Sequence, residues 1–390
     1  MPAETPLSDI TVIELGHSVA APFAGEILGD LGATVIKIEK HDGGDDGRKW
    51  APPYWHGLSA IFQSLNRNKL SVTVDLRDPA ERELLVRQIV ERADVLIQNL
   101  RPGMVEELGL DPAMLRARNK RLIYCSIGAF GRGPLGDRPG YDPLMQAFGG
   151  LMSVTGEAGE PPVRVGTSII DMGAGMWSVI GILGALHHRG LTGEGTVVDT
   201  SLYETALTWM NYHAANFQAS GEVPRRHGSG TFGIVPYRGY ATRDGHLVIG
   251  AGNDKLFRAL ARVLGHPEWA DDTRFISNPE RVRNREALDA TIEAVTRTRA
   301  AAEWQTALEA AGVPSAPMQS IDQVLAHPQT QALGIVQKSP DEKLALIGLP
   351  LSFDGVRPPF RTAPPQLGEH TDDVLGAPAP ASKERTASQR

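Results

Sequence analysis

The feature that most constrains the fold of this chain is the alternation of short β-branched runs with helical patterns over residues 8–130. Strands are predicted at residues 10–15, 34–39, 72–76, 95–98, 122–127 and 197–199. Helices are predicted at residues 23–31, 79–93 and 201–210. Because strands that alternate with helices usually pair in parallel, the chain is predicted to have an α/β fold. We expect a mostly parallel, open, Rossmann-like sheet covered by helices.

The pattern changes after about Gly221, where a smaller α+β domain is predicted. Residues 237–241 and 246–250 alternate about Arg243-Asp-Gly245, which is typical of a hairpin. Helices are predicted at residues 254–264, 285–295 and 301–311. The predicted division is a large domain whose first part covers residues 1–205, a linker at 206–225, the small domain at 226–320, a return segment to the large domain at 321–376, and a disordered tail at 377–390.

Composition and charge argue against several function classes. The formal net charge of −7 argues against a nucleic-acid-binding surface, which needs clustered lysine and arginine. The single cysteine, Cys125, excludes disulfide or cysteine-rich metal frameworks within one chain. The amino terminus lacks a secretory pattern, and the apolar stretch at residues 176–186 is shorter than the ~20 residues that a bilayer crossing needs. We therefore expect a cytoplasmic protein without a nucleic-acid or membrane partner.

The stretch Arg164-Val-Gly-Thr-Ser-Ile-Ile-Asp171-Met-Gly-Ala-Gly175 carries one carboxylate to the start of a helix predicted at residues 172–188. Its small residues are expected to leave room for a bulky ligand. With an ordinary pKa of about 3.9, Asp171 would be ionised at neutral pH and could attack a thioester or anhydride carbonyl directly. The alternative is a helix N-cap, in which Asp171 accepts hydrogen bonds from the first turn. This segment alone favours the cap.

Further motifs occur along the chain in a fixed order. They are His17-Ser-Val-Ala-Ala-Pro22-Phe-Ala-Gly25, Asn66-Arg-Asn-Lys69, Asn99-Leu-Arg-Pro-Gly103, Gly140-Tyr-Asp142 with Gln146-Ala, and Leu367-Gly-Glu-His370-Thr. Together with the Asp171 stretch they resemble the class III (CaiB/BaiF-type) coenzyme A transferases, the formyl-CoA and carnitine CoA-transferase type, over roughly residues 8–376. The resemblance implies that Asp171 is the catalytic nucleophile and that the large domain binds CoA. It also implies an interlocked homodimer, with acyl-CoA and a small carboxylic acid as substrates and no permanently bound cofactor.

Cations follow three of the predicted strands. Lys40, Arg77 and Arg101 lie at the edge where open α/β sheets bind ligands, and their matching placement favours phosphate binding over three unrelated surface cations. The resemblance further places these residues around CoA: His17, Val19 and Ala20 at the thioester end, Asn99 and Leu100 beside the pantetheine, Lys40, Val74 and Arg77 at the nucleotide, and Tyr141 near the acyl group. Glu107 stands where relatives can have an arginine, so the resemblance does not carry that phosphate contact to this chain.

Two glycine-containing segments need interpretation. Gly228, Gly230 and Gly233 have the spacing of a dinucleotide fingerprint, but Ile234-Val-Pro236 follows them instead of a helix, so a flexible loop is predicted. In the resembling transferases a glycine-rich loop here closes over the reactive carboxylate, which implies a substrate loop; a plain connector is the alternative. The run Asp42-Gly-Gly-Asp45-Asp46-Gly lacks the spacing of a calcium loop and is interpreted as a solvated turn. No metal site is predicted.

The motifs support a CoA transferase that works through an aspartyl-CoA thioester on Asp171. α-Methylacyl-CoA racemases share the fold, but they have Gly-His-Asp where this chain has Gly140-Tyr141-Asp142. Because a tyrosine with a pKa of about 10 is a poor base at neutral pH, the transferase is preferred. A silent CoA-binding protein is a third possibility, against which Asp171 speaks. The sequence does not identify the acids, although Arg225, Arg226 and His227 beside the glycine loop are compatible with a dicarboxylate.

Overall fold

The computed structural model describes residues 5–376, and the tail predicted to be disordered, 377–390, lies outside the described residues. The β-strands are β1 Thr11–Leu15, β2 Thr34–Glu39, β3 Tyr54–Trp55, β4 Leu58–Ser59, β5 Lys69–Thr73, β6 Val95–Gln98, β7 Ile123–Gly128, β8 Val197–Ser201, β9 Tyr237–Ala241, β10 His246–Gly250, β11 Ser315–Pro317, β12 Val336–Lys338 and β13 Ala345–Ile347. The α-helices are α1 Ala20–Asp30, α2 Ala60–Leu65, α3 Pro79–Gln88, α4 Met104–Glu107, α5 Pro112–Arg118, α6 Asp142–Phe148, α7 Leu151–Val154, α8 Ile169–Thr192, α9 Leu202–Trp209, α10 Asn211–Ser220, α11 Asp254–Val263, α12 Asn278–Arg283, α13 Arg285–Thr296, α14 Ala301–Ala310, α15 Ile321–Ala326, α16 Pro328–Leu333 and α17 Thr371–Leu375.

Two compact units divide the described residues. Unit 1 contains residues 5–149, 166–209 and 329–376, and unit 2 contains residues 150–165 and 210–328. The predicted linker, 206–225, is largely helical, because α9 and α10 cover most of it. Residues 150–165, expected in the large domain, fold with unit 2. Apolar periodicity could not indicate α10, since none of its side chains is buried.

Unit 1 is built on a six-stranded sheet with the order β5-β2-β1-β6-β7-β8. Every pairing in this sheet is parallel. The predicted α/β fold with a parallel sheet is therefore confirmed. Strand β5 begins three residues before the predicted start at Val72, at Lys69, which is buried and forms an ion pair with Glu14.

Four charged side chains lie inside unit 1 and are called here the central charge cluster: Glu14, Lys37, Asp45 and Lys69. Lys37 Nζ lies 2.6 Å from a Glu14 oxygen and 2.8 Å from an Asp45 oxygen, and Lys69 Nζ lies 2.8 Å from the other Glu14 oxygen. All four are buried. Charges without water need such pairing, since an isolated ion in the protein interior is strongly unfavourable.

Helix α8 is longer than the predicted 172–188. It has 24 residues and, by length and composition alone, is long and apolar enough to cross a membrane, so the expectation that its apolar stretch is too short was wrong. A core helix of a folded domain has the same composition. In unit 1, α8 contacts α1, α9, β7 and β8.

Glycines set how closely α8 packs. A Cβ at Gly175 would lie 2.8 Å from the Ala20 carbonyl oxygen on α1, and a Cβ at Gly173 would lie 2.9 Å from the Trp209 ring. The small residues after Asp171 therefore admit neighbouring protein, and not the bulky ligand that the sequence led us to expect.

The return segment closes the free edge of the sheet at β5. His370 N donates to Ser71 O, Ser71 N donates to His370 Nδ1, and Thr73 N donates to Thr371 Oγ1. Just before β5, Asn68 N donates to Thr362 O, and Thr362 N donates to the side-chain Oδ1 of Asn68. Residues 362–371 thus satisfy polar groups that an edge strand would leave open.

Unit 2 has its own apolar core around the three-stranded antiparallel sheet β11-β10-β9. The predicted hairpin is confirmed, with Leu247 on β10 opposite Tyr240 on β9. Helix α11 contributes Phe257 and Leu260 to this core, and Trp304 from α14 is also buried in it.

Candidate active site

Two cavities lie in unit 1 beyond the carboxyl ends of β1, β2 and β6, and both are lined by His17, Asp46, Leu100 and Arg101. The larger measures about 780 Å³ and the smaller about 380 Å³. Predicted site residues that line the larger cavity are His17, Lys40, Val74, Arg77, Leu100 and Arg101, and Glu107 also lines it. Those that line the smaller cavity are His17, Val19, Ala20, Asn99, Leu100, Arg101, Tyr141 and Asp171. The structure therefore brings together the predicted residues of unit 1, while their roles stay predictions.

Asp171 is the third residue of α8, but it does not cap that helix. The N-cap position is Ser168, whose side chain makes no capping hydrogen bond. Asp142, the first residue of α6, does the capping from outside: its Oδ2 accepts from Ile170 N at 2.8 Å and from Asp171 N at 3.3 Å. The N-cap interpretation of Asp171 is therefore wrong. Asp171 instead lines the smaller cavity.

The environment of Asp171 disfavours its charge. Burial, and secondly the neighbouring carboxylate of Asp142, raise the pKa of Asp171 to about 7. The ordinary aspartate pKa assumed from the sequence is thus wrong for this position. A half-buried carboxylate with a raised pKa that lines a cavity is typical of a catalytic group.

Asp142 is itself held in place. It is buried, and its Oδ1 accepts from Gln146 Nε2 at 2.6 Å, one turn along α6. The sequence contained this pair as part of the Gly140-Tyr-Asp142 motif, and the four-residue spacing was the signal available for it. Its role in capping α8 was missed, because a cap supplied by another helix leaves no local pattern.

Segment 16–18, between β1 and α1, lines both cavities. His17 N donates to Asn99 Oδ1 at 3.0 Å, and Asn99 Nδ2 donates to His17 O at 2.9 Å. Burial lowers the pKa of His17, against the opposing effect of Asp45 and Asp46, which favours the neutral imidazole. Asn99 was predicted to lie beside the pantetheine, and the structure adds that its amide fixes the His17 backbone.

The three predicted phosphate-binding cations differ in their surroundings. Lys40 Nζ pairs with Asp46 Oδ1 at 3.1 Å, and both side chains are exposed. Within residues 5–376 the side chains of Arg77 and Arg101 make no ion pair. The larger cavity therefore holds two unpaired guanidinium groups, which suit the phosphates of a nucleotide.

The acidic run after β2 is not a uniformly solvated turn. Asp42 and Asp46 are exposed, whereas Asp45 is buried and pairs with Lys37. Burial alone would raise the pKa of Asp45, but Lys37 and the N–H groups of Ser18 and Gly47 outweigh it and lower the pKa. The sequence of this glycine-rich turn did not indicate that one of its three aspartates has a buried partner in β2.

The glycine loop lies in unit 2. Gly228 N donates to Gly156 O, Gly230 N donates to His227 O, and Asn278 Nδ2 donates to Gly233 O. Arg285 Nη2 holds the two carbonyls between the second and third glycines, those of Thr231 and Phe232. No helix follows the loop, so rejecting the dinucleotide interpretation was correct. Its action as a lid stays a prediction.

Known proteins share this chain's sequence and fold. Residues 7–371 match the sequence model of CoA-transferase family III. The succinate–glutarate CoA-transferase of Agrobacterium fabrum is 37% identical over 380 residues, covering 95% of each chain. The acetyl-CoA:oxalate CoA-transferase of Acetobacter aceti is 37% identical over 367 residues, covering 93% of each.

The structural comparison agrees with the sequence comparison. The crystal structure of a CAIB/BAIF family protein from Brucella suis has a TM-score of 0.85 to this chain at 38% sequence identity, covering 95% of this chain and 98% of the other. Sequence identity at this level over nearly the whole chain indicates membership of the same family and not only a shared fold. The chain therefore belongs to CoA-transferase family III, the CaiB/BaiF family, whose members move CoA between an acyl-CoA and a carboxylic acid.

Proposed function

We propose that this CoA transferase works through covalent catalysis by Asp171. The observation that carries the proposal is a carboxylate that lines the smaller cavity, has a raised pKa, and is relieved of helix capping by Asp142. In its ionised form such a carboxylate is a nucleophile toward a thioester. His17 and Tyr141, which line the same cavity, are proposed to contact the thioester and acyl group.

The first half of the reaction moves CoA onto the protein. The Asp171 carboxylate attacks the thioester carbonyl, so a C–O bond forms, the C–S bond breaks and CoA thiolate leaves. The thiolate then attacks the aspartyl carbonyl of the mixed anhydride. A new C–S bond forms, the anhydride C–O bond breaks, and the donor acid leaves as its carboxylate.

The second half reverses these steps with the acceptor. The acceptor carboxylate attacks the aspartyl-CoA thioester, which gives a second anhydride and frees the thiolate. Attack of that thiolate on the acceptor carbonyl forms the new acyl-CoA and restores the Asp171 carboxylate. Because water would hydrolyse each intermediate, the site must exclude it, and we propose that the glycine loop of unit 2 serves this purpose.

The test is to trap the intermediate. Incubation with an acyl-CoA donor and no acceptor should leave CoA attached to the peptide that contains Asp171, and hydroxylamine should release it. Asp171→Asn is the control and should carry no adduct. A racemase would instead exchange the substrate α-proton with deuterated solvent, and a silent binder would do neither. Deuterium exchange without an adduct would replace the transferase mechanism with racemase chemistry.

We also propose that the acids are dicarboxylates. Relatives named for succinate–glutarate, oxalate, D-citramalate and mesaconate transfer support this class. In unit 2, Arg225 and Arg226 make no ion pair within the described part of the chain, and beside them burial lowers the pKa of His227. These residues are candidates to bind the second carboxylate. Succinyl-CoA should donate to glutarate far faster than to pentanoate, which has the same carbon count and one carboxylate; equal rates would contradict this class.

The interlocked homodimer implied by the family is a further proposal. On α8, Met176, Trp177, Ile180 and Leu183 form an apolar face that is 37–55% exposed in the single chain. Burying such a face against a second copy would remove it from water. Light scattering at low concentration should give twice the chain mass, and an active monomer would contradict the proposal. The cytoplasmic location stays a prediction, which cell fractionation would test.

A further inference from the structure

Segment 16–18 is held at each residue by a side chain from a different part of unit 1. Gly16 O accepts from Lys37 Nζ at 2.8 Å. His17 exchanges two hydrogen bonds with Asn99, and Ser18 N donates to Asp45 Oδ1 at 2.9 Å. Ser18 has a φ of +71°, which is unfavourable for a residue other than glycine. Such a conformation persists only where the surroundings impose it.

Lys37 and Asp45 form the inner part of this support. Lys37 reaches Gly16 and Asp45 from β2, and Asp45 Oδ1 also accepts from Gly47 N at 2.8 Å. Both members of this ion pair also hydrogen-bond to the backbone of segment 16–18, so the pair connects the loop after β1 with the loop after β2. Burial opposes the charge on Lys37, but the carboxylates of Glu14 and Asp45 outweigh it and raise its pKa, so Lys37 stays protonated.

The energetics give this arrangement a reason beyond stability. Removing charges from water costs about as much as their attraction returns, so a buried ion pair adds little net stability over apolar packing. It does fix geometry, because each partner has one place where its charge is satisfied. Here the ion pair fixes the loop that contains His17, a residue that lines both cavities.

We propose that Lys37 and Asp45 are positioning residues for CoA transfer, holding segment 16–18 so that His17 and the start of α1 face the reacting thioester. The inference rests on the proposed placement of the reaction in the cavity lined by Asp171. It does not give Lys37 or Asp45 contact with substrate. A displacement of about 1 Å at a reacting centre can lower the rate by about 100-fold, so loss of this support should appear in kcat.

The test compares Asp45 with a matched carboxylate. Asp30 ends α1 at its other end, is as buried as Asp45, and pairs with Arg67 at 2.5 Å, yet lines neither cavity. Asp45→Ala should lower kcat by about 10- to 100-fold. Asp30→Ala should lose at least as much thermal stability and keep its kcat. Asp45→Asn, which keeps an oxygen for Ser18 N, should recover part of the kcat that Asp45→Ala loses.

Two results would overturn the inference. The first is an Asp45→Ala variant that keeps its kcat; the second is a loss of kcat that follows thermal stability equally in the Asp45 and Asp30 variants. If Asp45→Ala does not fold, Asn99→Asp decides the question. It keeps the acceptor for His17 N but puts an oxygen against His17 O, so unchanged kcat would contradict a need to hold segment 16–18.

Trapping of the intermediate separates this inference from the proposed function. If the unmodified protein forms the adduct on Asp171 and the Asp45 variants form it at the same rate, only the positioning role fails. If the unmodified protein forms no adduct, the proposed mechanism fails first. Support for both is a normal adduct in the unmodified protein and slow single-turnover formation in the Asp45 variants.

Discussion

Asp171 and Asp45 are both carboxylates of unit 1, the first half-buried and the second buried, and their surroundings shift their pKa values in opposite directions. Asp45 has a buried ammonium and two backbone N–H groups, and its pKa is lowered. Within the described residues Asp171 makes no ion pair, and burial and the neighbouring Asp142 carboxylate raise its pKa to about 7. A carboxylate whose charge is compensated is suited to hold a loop in place, whereas one whose charge is not compensated is suited to react. The contrast distinguishes the carboxylate proposed to support a loop from the one proposed to be catalytic, without reference to any relative.

The largest expected effect in this comparison is the loss of Asp171. Asp171→Asn should lower transferase turnover by about 10³-fold or more, because an amide cannot attack a thioester. CoA binding should largely survive, since the cations of the larger cavity are untouched. Steady-state rates and CoA titration by calorimetry would measure both. Near-normal turnover in Asp171→Asn would contradict nucleophilic catalysis by Asp171. It would also remove the proposed difference in role between Asp171 and Asp45.

The pH dependence should show the raised pKa directly. Only ionised Asp171 attacks, so kcat/KM should fall by about tenfold per pH unit below about 7. Asp142→Asn removes the negative charge that contributes to the shift, and should move this acid limb to lower pH. Burial persists, so the limb should not reach the ordinary aspartate value.

The control for this profile is Asp199→Asn, which removes one exposed carboxylate elsewhere in unit 1 and should leave the limb in place. An acid limb that does not move in Asp142→Asn would contradict the electrostatic role of Asp142.

A third carboxylate, that of the buried Glu26, extends the comparison to stability. Burial raises the pKa of Glu26 to about 8, although Arg67 at 2.8 Å opposes the shift. The folded state therefore binds more protons than the unfolded state between pH 4.5 and about 8, and this group makes stability fall as pH rises through that range. Glu26→Gln mimics the protonated form.

The melting temperature of Glu26→Gln, relative to the unmodified protein, should thus increase with pH and level off above about 8. Calorimetry across pH 5–9 would measure it. Glu83→Gln, which removes an exposed partner of Arg118, should show no such gain. A constant difference across the range would mean that Glu26 is ionised in the folded protein.

The smallest expected effect concerns the exposed pair of Lys40 and Asp46. Asp46→Asn frees Lys40 for phosphate, and should lower the KM for acyl-CoA by about 1.5- to 5-fold, as expected for an exposed ion pair of 0.2–1 kcal/mol. Asp42→Asn is the matched control, because Asp42 lines the same cavity without pairing with Lys40. If the two variants change KM equally, only net charge matters.

The sequence predicted those parts of the molecule whose cause is local. Strands at 34–39 and 95–98 have the predicted bounds, and the hairpin of unit 2 is correct to the residue, because β-branched runs and the Asp-Gly turn act over a few residues. Many residues that line the cavities come directly after parallel strands, at the carboxyl ends of the sheet. Their position after each predicted strand was therefore enough to predict that they lie together.

What the sequence did not predict depends on partners far along the chain. Strand β5 begins at Lys69, which forms an ion pair with Glu14, and the buried Asp45 pairs with Lys37. Asp142 acts on a helix that begins 27 residues later. Polar residues that satisfy one another across such distances look like surface residues in a sequence, because no apolar periodicity marks them.

The return segment makes unit 1 discontinuous in sequence, so unit 1 cannot be completed until residues that follow unit 2 have been synthesised. Arg48 donates to Pro365 O, Arg67 donates to Ile347 O, and Asn68 binds the backbone near Thr362. During synthesis these hydrogen bonds cannot form until more than 270 further residues have been made. The residues of unit 2 precede the return segment in the sequence. Because unit 2 has its own apolar core, it can fold first. Unit 1 can therefore close over its two cavities only after all of unit 2 has been synthesised.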